Sequence, residues 1–183
     1  MRIFGIDPGS ERTGYGCVET DGRRSHLVAC GAIAALTPDL PQRLARIHAE
    51  LSAQLAALRP DCVAIESIFH ANNARSALKL GHARGVAMLA AVQAGCPVVE
   101  YTPAEIKRAV VGYGRAEKHQ VQQMIKLLLG LDTVPSPHDA ADALAVAICH
   151  LHSQIPGAAA VVPSADPSPR PRSWRQYRPP AHG

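Results

Sequence analysis

The order of its apolar runs constrains the fold of this chain more than any other feature of the sequence. Three strand-length runs come first, at residues 2–6, 14–18 and 26–33, and a Pro8-Gly9 turn separates the first two. The first two runs therefore predict a β-hairpin, and the third predicts another strand.

Beyond residue 40, helical and strand-like patterns alternate. Leu44, Ile47, Leu51 and Leu55 recur at steps of three or four and predict an amphipathic helix that ends before Pro60. Further strands are predicted at residues 62–65 and 97–100, and further helices at residues 72–94, 103–110, 117–129 and 139–152. Three opening strands followed by this alternation predict an α/β domain, with a mixed five-stranded sheet flanked by helices.

The C-terminal segment differs in composition from the rest of the chain. Positions 156–183 hold seven of the fifteen prolines, four arginines, a single acid and no Leu, Ile or Phe. Such a segment cannot bury enough apolar surface to offset the entropy lost on ordering. We therefore predict one domain over residues 1–155 and a disordered, Pro- and Arg-rich tail over residues 156–183. The tail carries +3 of the net charge of +4, so attraction of the domain for a polyanion must come from local clusters.

Several classes of protein are excluded by what the sequence lacks. No apolar run approaches the roughly 18–20 residues of a membrane span, and the first residues lack the apolar core of a signal peptide. The five cysteines are widely spaced and form no C-x-x-C pair, which argues against a disulfide framework and a zinc knuckle. We therefore expect a cytoplasmic protein with reduced thiols and no contact with a membrane.

Four acidic residues lie at positions where α/β domains commonly bind ligands or carry catalytic groups. Asp7 and Glu66 each follow an apolar strand, and ligands of α/β sheets bind at the carboxyl ends of strands. Asp139 and Asp142 open a predicted helix at a spacing of three, so both carboxylates lie on one face. If the four converge, such an all-oxygen cluster holds a hard cation, Mg²⁺ or Mn²⁺. Taken singly, Asp7 also suits a turn, and Asp139 and Asp142 suit a first helical turn, whose dipole favours acids.

A set of short motifs carries a family resemblance. In order along the chain they are IFGIDPGS from Ile3, TGYG from Thr13, AIESIF from Ala64, SALKLG from Ser76 and DAADAL from Asp139. Together they closely resemble the RuvC-type Holliday junction resolvases, over residues 1 to about 152. The resemblance implies an RNase H-like fold, a homodimer, and two Mg²⁺ ions, with Mn²⁺ as an alternative. The metal ligands and catalytic residues that it implies are Asp7, Glu66, Asp139 and Asp142.

The resemblance also implies a reaction. A member of this family resolves four-way DNA junctions by symmetric nicks in two strands, in homologous recombination and DNA repair, beside the helicase complex that drives branch migration. Two metal ions would activate the attacking water and stabilise the leaving 3′ oxygen, so the products are a 5′-phosphate and a 3′-hydroxyl. Asp7 is the expected bridge between the ions.

The first position of the last motif leaves one assignment open. Some members of such families have His where others have Asp, and here His138 directly precedes Asp139. The Asp-Ala-Ala-Asp spacing favours Asp139 as the ligand. His138 then has either a role at the site or none beyond a solvated helix start.

Basic and aromatic residues near these motifs are candidates for holding DNA. Lys107 and Lys118 match basic positions of the family that contact DNA phosphates, although ordinary helix lysines are solvated. Phe69 lies in a polar segment and is either a base-stacking residue or a cap on the core. Arg75 and Lys79 are further candidates for phosphate contacts.

A dimer would suit a junction, because both have two-fold symmetry. The helix at residues 72–94 is the expected dimer element. Small residues recur along one stripe of it, with Ala74, Ala77, Leu78, Gly81 and Gly85 as members.

Three other functions are compatible with parts of the sequence. An actin-like phosphotransferase also opens with Asp-x-Gly and a glycine-containing hairpin, but such proteins need two domains to enclose ATP, and we predict one. A nucleic-acid adaptor without activity would not need four convergent acids. A related enzyme that processes RNA ends differs from a junction resolvase in its substrate, so binding competition separates the two.

Overall fold

The computed structural model describes residues 1–67 and 74–154. Five strands and five helices follow one another along these residues: β1 (Arg2–Asp7), β2 (Arg12–Thr20), β3 (Ser25–Ala34), α1 (Leu40–Leu58), β4 (Cys62–Glu66), α2 (Ala74–Gln93), β5 (Val98–Tyr101), α3 (Pro103–Val111), α4 (Lys118–Leu128) and α5 (His138–Ser153). All the predicted strands and helices are present, with ends that differ by a few residues. The tail at residues 156–183 lies outside the described residues, so its disorder stays a prediction, as does the domain boundary.

The five strands form one mixed sheet in the order β3-β2-β1-β4-β5. The β1–β2 and β2–β3 pairs are antiparallel, whereas β1–β4 and β4–β5 are parallel. This topology confirms the predicted α/β class and the mixed five-stranded sheet. The central strand is β1, and the carboxyl ends of β1, β4 and β5 meet at one edge of the sheet.

Helices cover both faces of the sheet, and the side chains of each strand alternate between the faces. On the α5 face, α5 lies across β1 and β2 with α3 and α4 beside it, and Ile3 packs in a core with Ile148. On the α1–α2 face, Phe4 packs in a second core with Ile47 and Leu51. All five of these side chains are almost completely buried.

The backbone of α5 lies very close to the sheet because glycines face it. A Cβ added at Gly5 of β1 would be 2.0 Å from the carbonyl oxygen of Ala143. A Cβ added at Gly14 of β2 would be 2.0 Å from the carbonyl oxygen of Asp139. Neither position therefore accepts a larger residue without movement of α5, and glycine within a strand commonly marks such an approach. The first turn of α5 is held against the end of β1, because Gly14 pairs with Asp7.

Helix α1 begins a turn earlier than its apolar spacing predicts. Asp39 caps the helix, and its carboxylate accepts a hydrogen bond from the backbone N–H of Gln42 at 3.3 Å. Pro41 occupies the first turn, where a proline needs no N–H partner. Periodicity missed this turn because its side chains are not part of the buried stripe, which begins near Leu44.

The cysteines belong to the packing of the domain. All five are free thiols, and Cys17, Cys62 and Cys149 are buried. Burial raises the pKa of Cys149 to about 12 and that of Cys17 to about 11, so both stay protonated at neutral pH. Within the described residues, no helix combines the length and apolar character needed to cross a bilayer.

Candidate active site

Asp7 and Glu66 end neighbouring strands at the centre of the sheet. β1 and β4 run parallel with Ile6 opposite Ile65, so the two acidic side chains leave their strands side by side. Both residues are half-buried. A hydrogen bond joins the two carboxyl groups, in which protonated Asp7 donates and Glu66 accepts. Two acids from separate parts of the sequence are thus in contact.

The first turn of α5 adds the other two acids. Asp7 pairs with Gly14 across β1 and β2, and a Cβ added at Gly14 would lie 3.2 Å from the Cβ of Asp139. Asp142 follows at a spacing of three on the same side of the helix. The charges of both act on Asp7. The structure therefore groups all four predicted acids at the carboxyl ends of β1 and β4.

This grouping changes the protonation of the acids. Burial, followed by the nearby charges of the three other acids, raises the pKa of Asp7 to about 8. Burial also raises the pKa of Glu66, while the hydrogen bond from Asp7 and two nearby lysines oppose the rise. Crowded carboxyl groups of this kind retain a proton at neutral pH unless positive charge is supplied.

The chemistry of the four side chains suits a hard divalent cation. They offer only oxygen donors, and bound positive charge relieves the repulsion between them. In residues 1–67 and 74–154, no three Asp, Glu, His or Cys side chains stand in a ready-made coordination geometry. Sharing one ion would require other side-chain conformations of these carboxylates, none of which is fully buried.

Two of the predicted DNA-binding residues border this cluster. Lys118 begins α4 and forms an ion pair with Asp142, with 2.6 Å between Nζ and Oδ2. The hydrogen bond to Asp142 raises the pKa of Lys118. Lys107 of α3 is half-buried, and its charge acts on Glu66. A phosphate bound at the acids would meet both ammonium groups.

The other DNA-binding candidates are not joined to the cluster. Arg75 is exposed and Lys79 is half-buried, both near the start of α2. In the part of the chain that the structure describes, no ion pair links either residue to the four acids. Phe69 lies outside the described residues, so its stacking role stays a prediction.

His138 has a partner within the protein. It is the first residue of α5 and is exposed, and its Nδ1 lies 2.8 Å from the Nε2 of Gln122 in α4. With the amide N–H as donor, Nδ1 accepts and the ring proton is on Nε2. This contact fastens the start of α5 to α4 beside Asp139.

Sequence reasoning missed the residues that hold the acids in place. Gly5 and Gly14 carry no functional group, yet a glycine inside a strand is a usable signal of close backbone approach. Thr13 is fully buried, and its hydroxyl donates to the carbonyl oxygen of Gly9 at 2.9 Å. That bond closes the turn that follows Asp7.

The profile of the RuvC family, described as crossover junction endodeoxyribonuclease RuvC, matches residues 3–150. The RuvC of Citrifermentans bemidjiense is 57% identical over 154 residues, which cover 84% of this chain and 93% of that protein. The RuvC of Pelobacter propionicus is 52% identical over 184 residues, which cover 98% of this chain and 100% of that protein. The chain therefore belongs to the RuvC family of crossover junction endodeoxyribonucleases.

Solved structures agree with this assignment. The structure described as T. thermophilus RuvC in complex with Holliday junction substrate is 37% identical, with a TM-score of 0.78. The match covers 82% of this chain and 93% of that one. The family resemblance and the RNase H-like fold predicted from the motifs are confirmed, and the actin-like alternative is excluded.

Proposed function

We propose that this protein is a Holliday junction resolvase, which nicks four-way DNA junctions symmetrically in homologous recombination and DNA repair. The observation that carries the proposal is the grouping of Asp7, Glu66, Asp139 and Asp142 in a chain that belongs to the RuvC family. Relatives that match most of its length are named crossover junction endodeoxyribonucleases. The expected products are a 5′-phosphate and a 3′-hydroxyl.

The four acids would hold two Mg²⁺ ions, with Mn²⁺ as the alternative. Asp7 is the best bridging residue, because it contacts Glu66 and lies within the field of the other two acids. When bound, the ions supply the positive charge that activates water and stabilises the leaving oxygen. The raised pKa of Asp7 supports this assignment, since a carboxyl group that needs positive charge to ionise is a suitable metal ligand.

The lysines beside the acids would position the DNA. Lys107 and Lys118 would bind the oxygens of phosphates next to the bond that is cut, with charge-assisted hydrogen bonds, and their proximity to Glu66 and Asp142 supports this. Lys118 contributes a charge directly at Asp142. Arg75 and Lys79 are proposed to contact DNA phosphates, and Phe69 is proposed to stack on unpaired bases at the crossover.

A cleavage assay tests this proposal. The full-length protein is incubated with a synthetic four-way junction and with Mg²⁺ or Mn²⁺, and the nicks are mapped. We expect paired nicks at symmetric positions in two strands. Linear duplex and RNA serve as competitors: preference for RNA would indicate an RNA-processing relative instead, and binding without cleavage would indicate an adaptor.

We also propose a homodimer that is joined through α2. Exposed positions follow one side of this helix at steps of three or four, as in the seam between packed helices: Ala74, Leu78, Gly81, Gly85, Leu89 and Val92. Leu78 and Val92 are 65% and 64% exposed, so the stripe leaves large apolar side chains uncovered. A two-fold dimer would present two equivalent acidic clusters to the junction.

The dimer has its own test. Leu89→Glu places a charge on the apolar part of the stripe, beside Val92, so we expect sedimentation to shift from dimer to monomer. Leu127→Glu on α4, which changes a more exposed leucine outside the stripe, should leave the dimer intact. A dimer that persists in Leu89→Glu would contradict the assignment to α2.

The remaining proposals concern the compartment in which the protein works and its protein partner. We infer that the protein works in the cytoplasm with the helicase complex that drives branch migration. Its five free cysteines are compatible with a reducing compartment. A gel-shift experiment with purified helicase components should give a ternary complex on the junction, and mutually exclusive binding would contradict the partnership.

A further inference from the structure

Tyr113 is an aromatic residue for which the proposed reaction has no use. It lies in the loop between α3 and α4, and 46% of its surface is exposed. Of the aromatic residues in the described part of the chain, Tyr113 alone is exposed. Aromatic residues make up only 4% of the sequence, and a ring on the surface adds little to the core.

The ring is fastened to the first turn of α4. The Tyr113 hydroxyl donates a hydrogen bond to the Oε1 of Gln120 at 2.7 Å. The same oxygen accepts a hydrogen bond from the backbone N–H of Glu117 at 2.9 Å, where α4 is capped. Gly112, with a φ of 93°, ends α3 directly before the tyrosine. The loop is thus fixed to a helix at each end.

These two helices carry the lysines of the active site. Lys107 of α3 acts on Glu66, and Lys118 of α4 contacts Asp142 at 2.6 Å. Gln120, which holds the Tyr113 hydroxyl, is only two residues beyond Lys118. The Gln120 oxygen that binds the Tyr113 hydroxyl also accepts from the backbone N–H of Glu117, the residue before Lys118, so Tyr113 lies beside the start of the helix that carries Lys118.

The chemistry of this arrangement favours a nucleobase. Because its hydroxyl is bound to Gln120, the tyrosine offers mainly its apolar ring to a ligand. Lysines that bind phosphates beside an aromatic ring are the combination with which proteins hold unpaired bases. In a linear duplex the bases are stacked on one another, whereas bases at the crossover of a junction are more easily exposed.

We propose that Tyr113 forms a stacking site for a DNA base next to the crossover, on the strand whose phosphates contact Lys107 and Lys118. This inference rests on the proposed function. It adds a contact on the α3–α4 loop to the one predicted for Phe69, and it gives the site a preference for junctions over linear duplex. Stacking on an aromatic ring does not distinguish between bases, so the site accepts any of the four.

Variants of the full-length protein separate stacking from a merely structural hydrogen bond. Tyr113→Phe keeps the ring and loses the bond to Gln120, whereas Tyr113→Ala loses both. Leu127→Ala, which truncates an exposed side chain at the other end of α4, is the control. The probe is a four-way junction with 2-aminopurine at single positions beside the crossover, with a chelator present so that binding is measured without cleavage.

We expect Tyr113→Ala to bind the junction about tenfold more weakly and to lose the fluorescence quenching of 2-aminopurine. Tyr113→Phe and Leu127→Ala should stay within about twofold of wild type and keep the quenching. The slope of log affinity against log salt should not change in Tyr113→Ala, because no phosphate contact is lost.

Three results would overturn the proposal. They are an equal loss in Tyr113→Phe and Tyr113→Ala, an equal loss on linear duplex, and an unchanged affinity of Tyr113→Ala for the junction. Nick mapping with the wild-type protein is independent of these variants. A wild type that cuts junctions while Tyr113→Ala binds normally would refute only this inference, whereas a wild type that cuts no junction would refute the proposed function.

Discussion

The two faces of the sheet are packed by different means. On the α1–α2 face, large side chains such as Phe4 and Leu51 fill the space between sheet and helices. On the α5 face, the backbone of the helix meets the backbone of the strands at Gly5 and Gly14. A side chain can change rotamer when its neighbour moves, whereas a backbone atom in contact with another backbone cannot, so the contacts at Gly5 and Gly14 fix the position of α5 closely.

The difference in packing matches the difference in what each face must hold in position. Asp139 and Asp142 reach Asp7 only if the first turn of α5 stays against the end of β1, and Gly14 makes that contact. The packing of the α1–α2 face does not position any of the four acids in this way. Substitutions on the two faces should therefore separate stability from cleavage.

The largest difference between the faces is expected in the cleavage rate. Asp7→Asn keeps the shape of the site and removes its central charge, so cleavage should fall by about three orders of magnitude or more while junction binding remains. Glu66→Gln and Asp142→Asn should each reduce cleavage to a similar extent. Combining either of them with Asp7→Asn should cause no further loss, because the acids act as a unit. Ile47→Val on the α1–α2 face should leave single-turnover cleavage unchanged. Equal loss of binding and cleavage in Asp7→Asn would argue against a metal-binding role.

The glycine contact should have the next largest effect. Gly14→Ala adds a Cβ that would lie 2.0 Å from the carbonyl oxygen of Asp139, so α5 must move and carry Asp139 with it. We expect cleavage to fall about 100-fold, as for other small displacements of reacting groups. Ile47→Val removes one carbon from the opposite core and should cost about 0.5–1.5 kcal/mol of stability with a normal rate. Wild-type cleavage by a folded Gly14→Ala protein would show that the close approach is not needed.

The pH dependence of stability should also differ between the faces. The pKa of Asp7 is about 8, against 3.8 in the unfolded chain, so its protonated form stabilises the fold below about pH 4. This contribution is lost as the pH rises through 8. Asp7→Asn mimics the protonated acid, so in a chelator it should melt above the wild type at pH 8, by at least about 5 °C. The gap should shrink toward pH 4, and a gap that is constant with pH would contradict the raised pKa.

The smallest expected effect concerns salt. Lys107→Ala and Lys118→Ala should each reduce the slope of log junction affinity against log salt concentration by about one, because each phosphate contact releases a counterion. Arg46→Ala is the control: Arg46 lies on α1, on the α1–α2 face, and pairs with Glu50 of the same helix, so its loss should leave the slope unchanged. Unchanged slopes in the lysine variants would assign Lys107 and Lys118 to the acidic cluster alone.

Much of the site could be predicted because its signals are local. Asp7 and Glu66 end apolar runs of strand length, and the spacing of Asp139 and Asp142 places them on one face of a helix. The sheet edge where ligands bind then follows from general rules for α/β folds. The family motifs covered the same residues, so pattern and resemblance agreed.

Contacts between distant elements could not be predicted in this way. Nothing local in the sequence relates Gly14 to Asp139 or Lys118 to Asp142, because those contacts depend on how α4 and α5 dock on the sheet. The lysines were expected at DNA, and their approach to the acids is a result of that docking. The bond from Tyr113 to Gln120 was missed for a related reason, since a loop has no periodicity from which its course can be predicted.

Calorimetric titration of a divalent ion most directly tests whether the four carboxylates form one metal site. Mn²⁺ or Mg²⁺ is titrated into the full-length protein at pH 7 in two buffers that differ in ionisation enthalpy, which reports the protons released. With the pKa of Asp7 at about 8, we predict that binding releases a proton and that Ile47→Val behaves like wild type. Asp7→Asn should bind more weakly and without that release. Wild-type binding without proton release, or identical titrations for wild type and Asp7→Asn, would contradict the account.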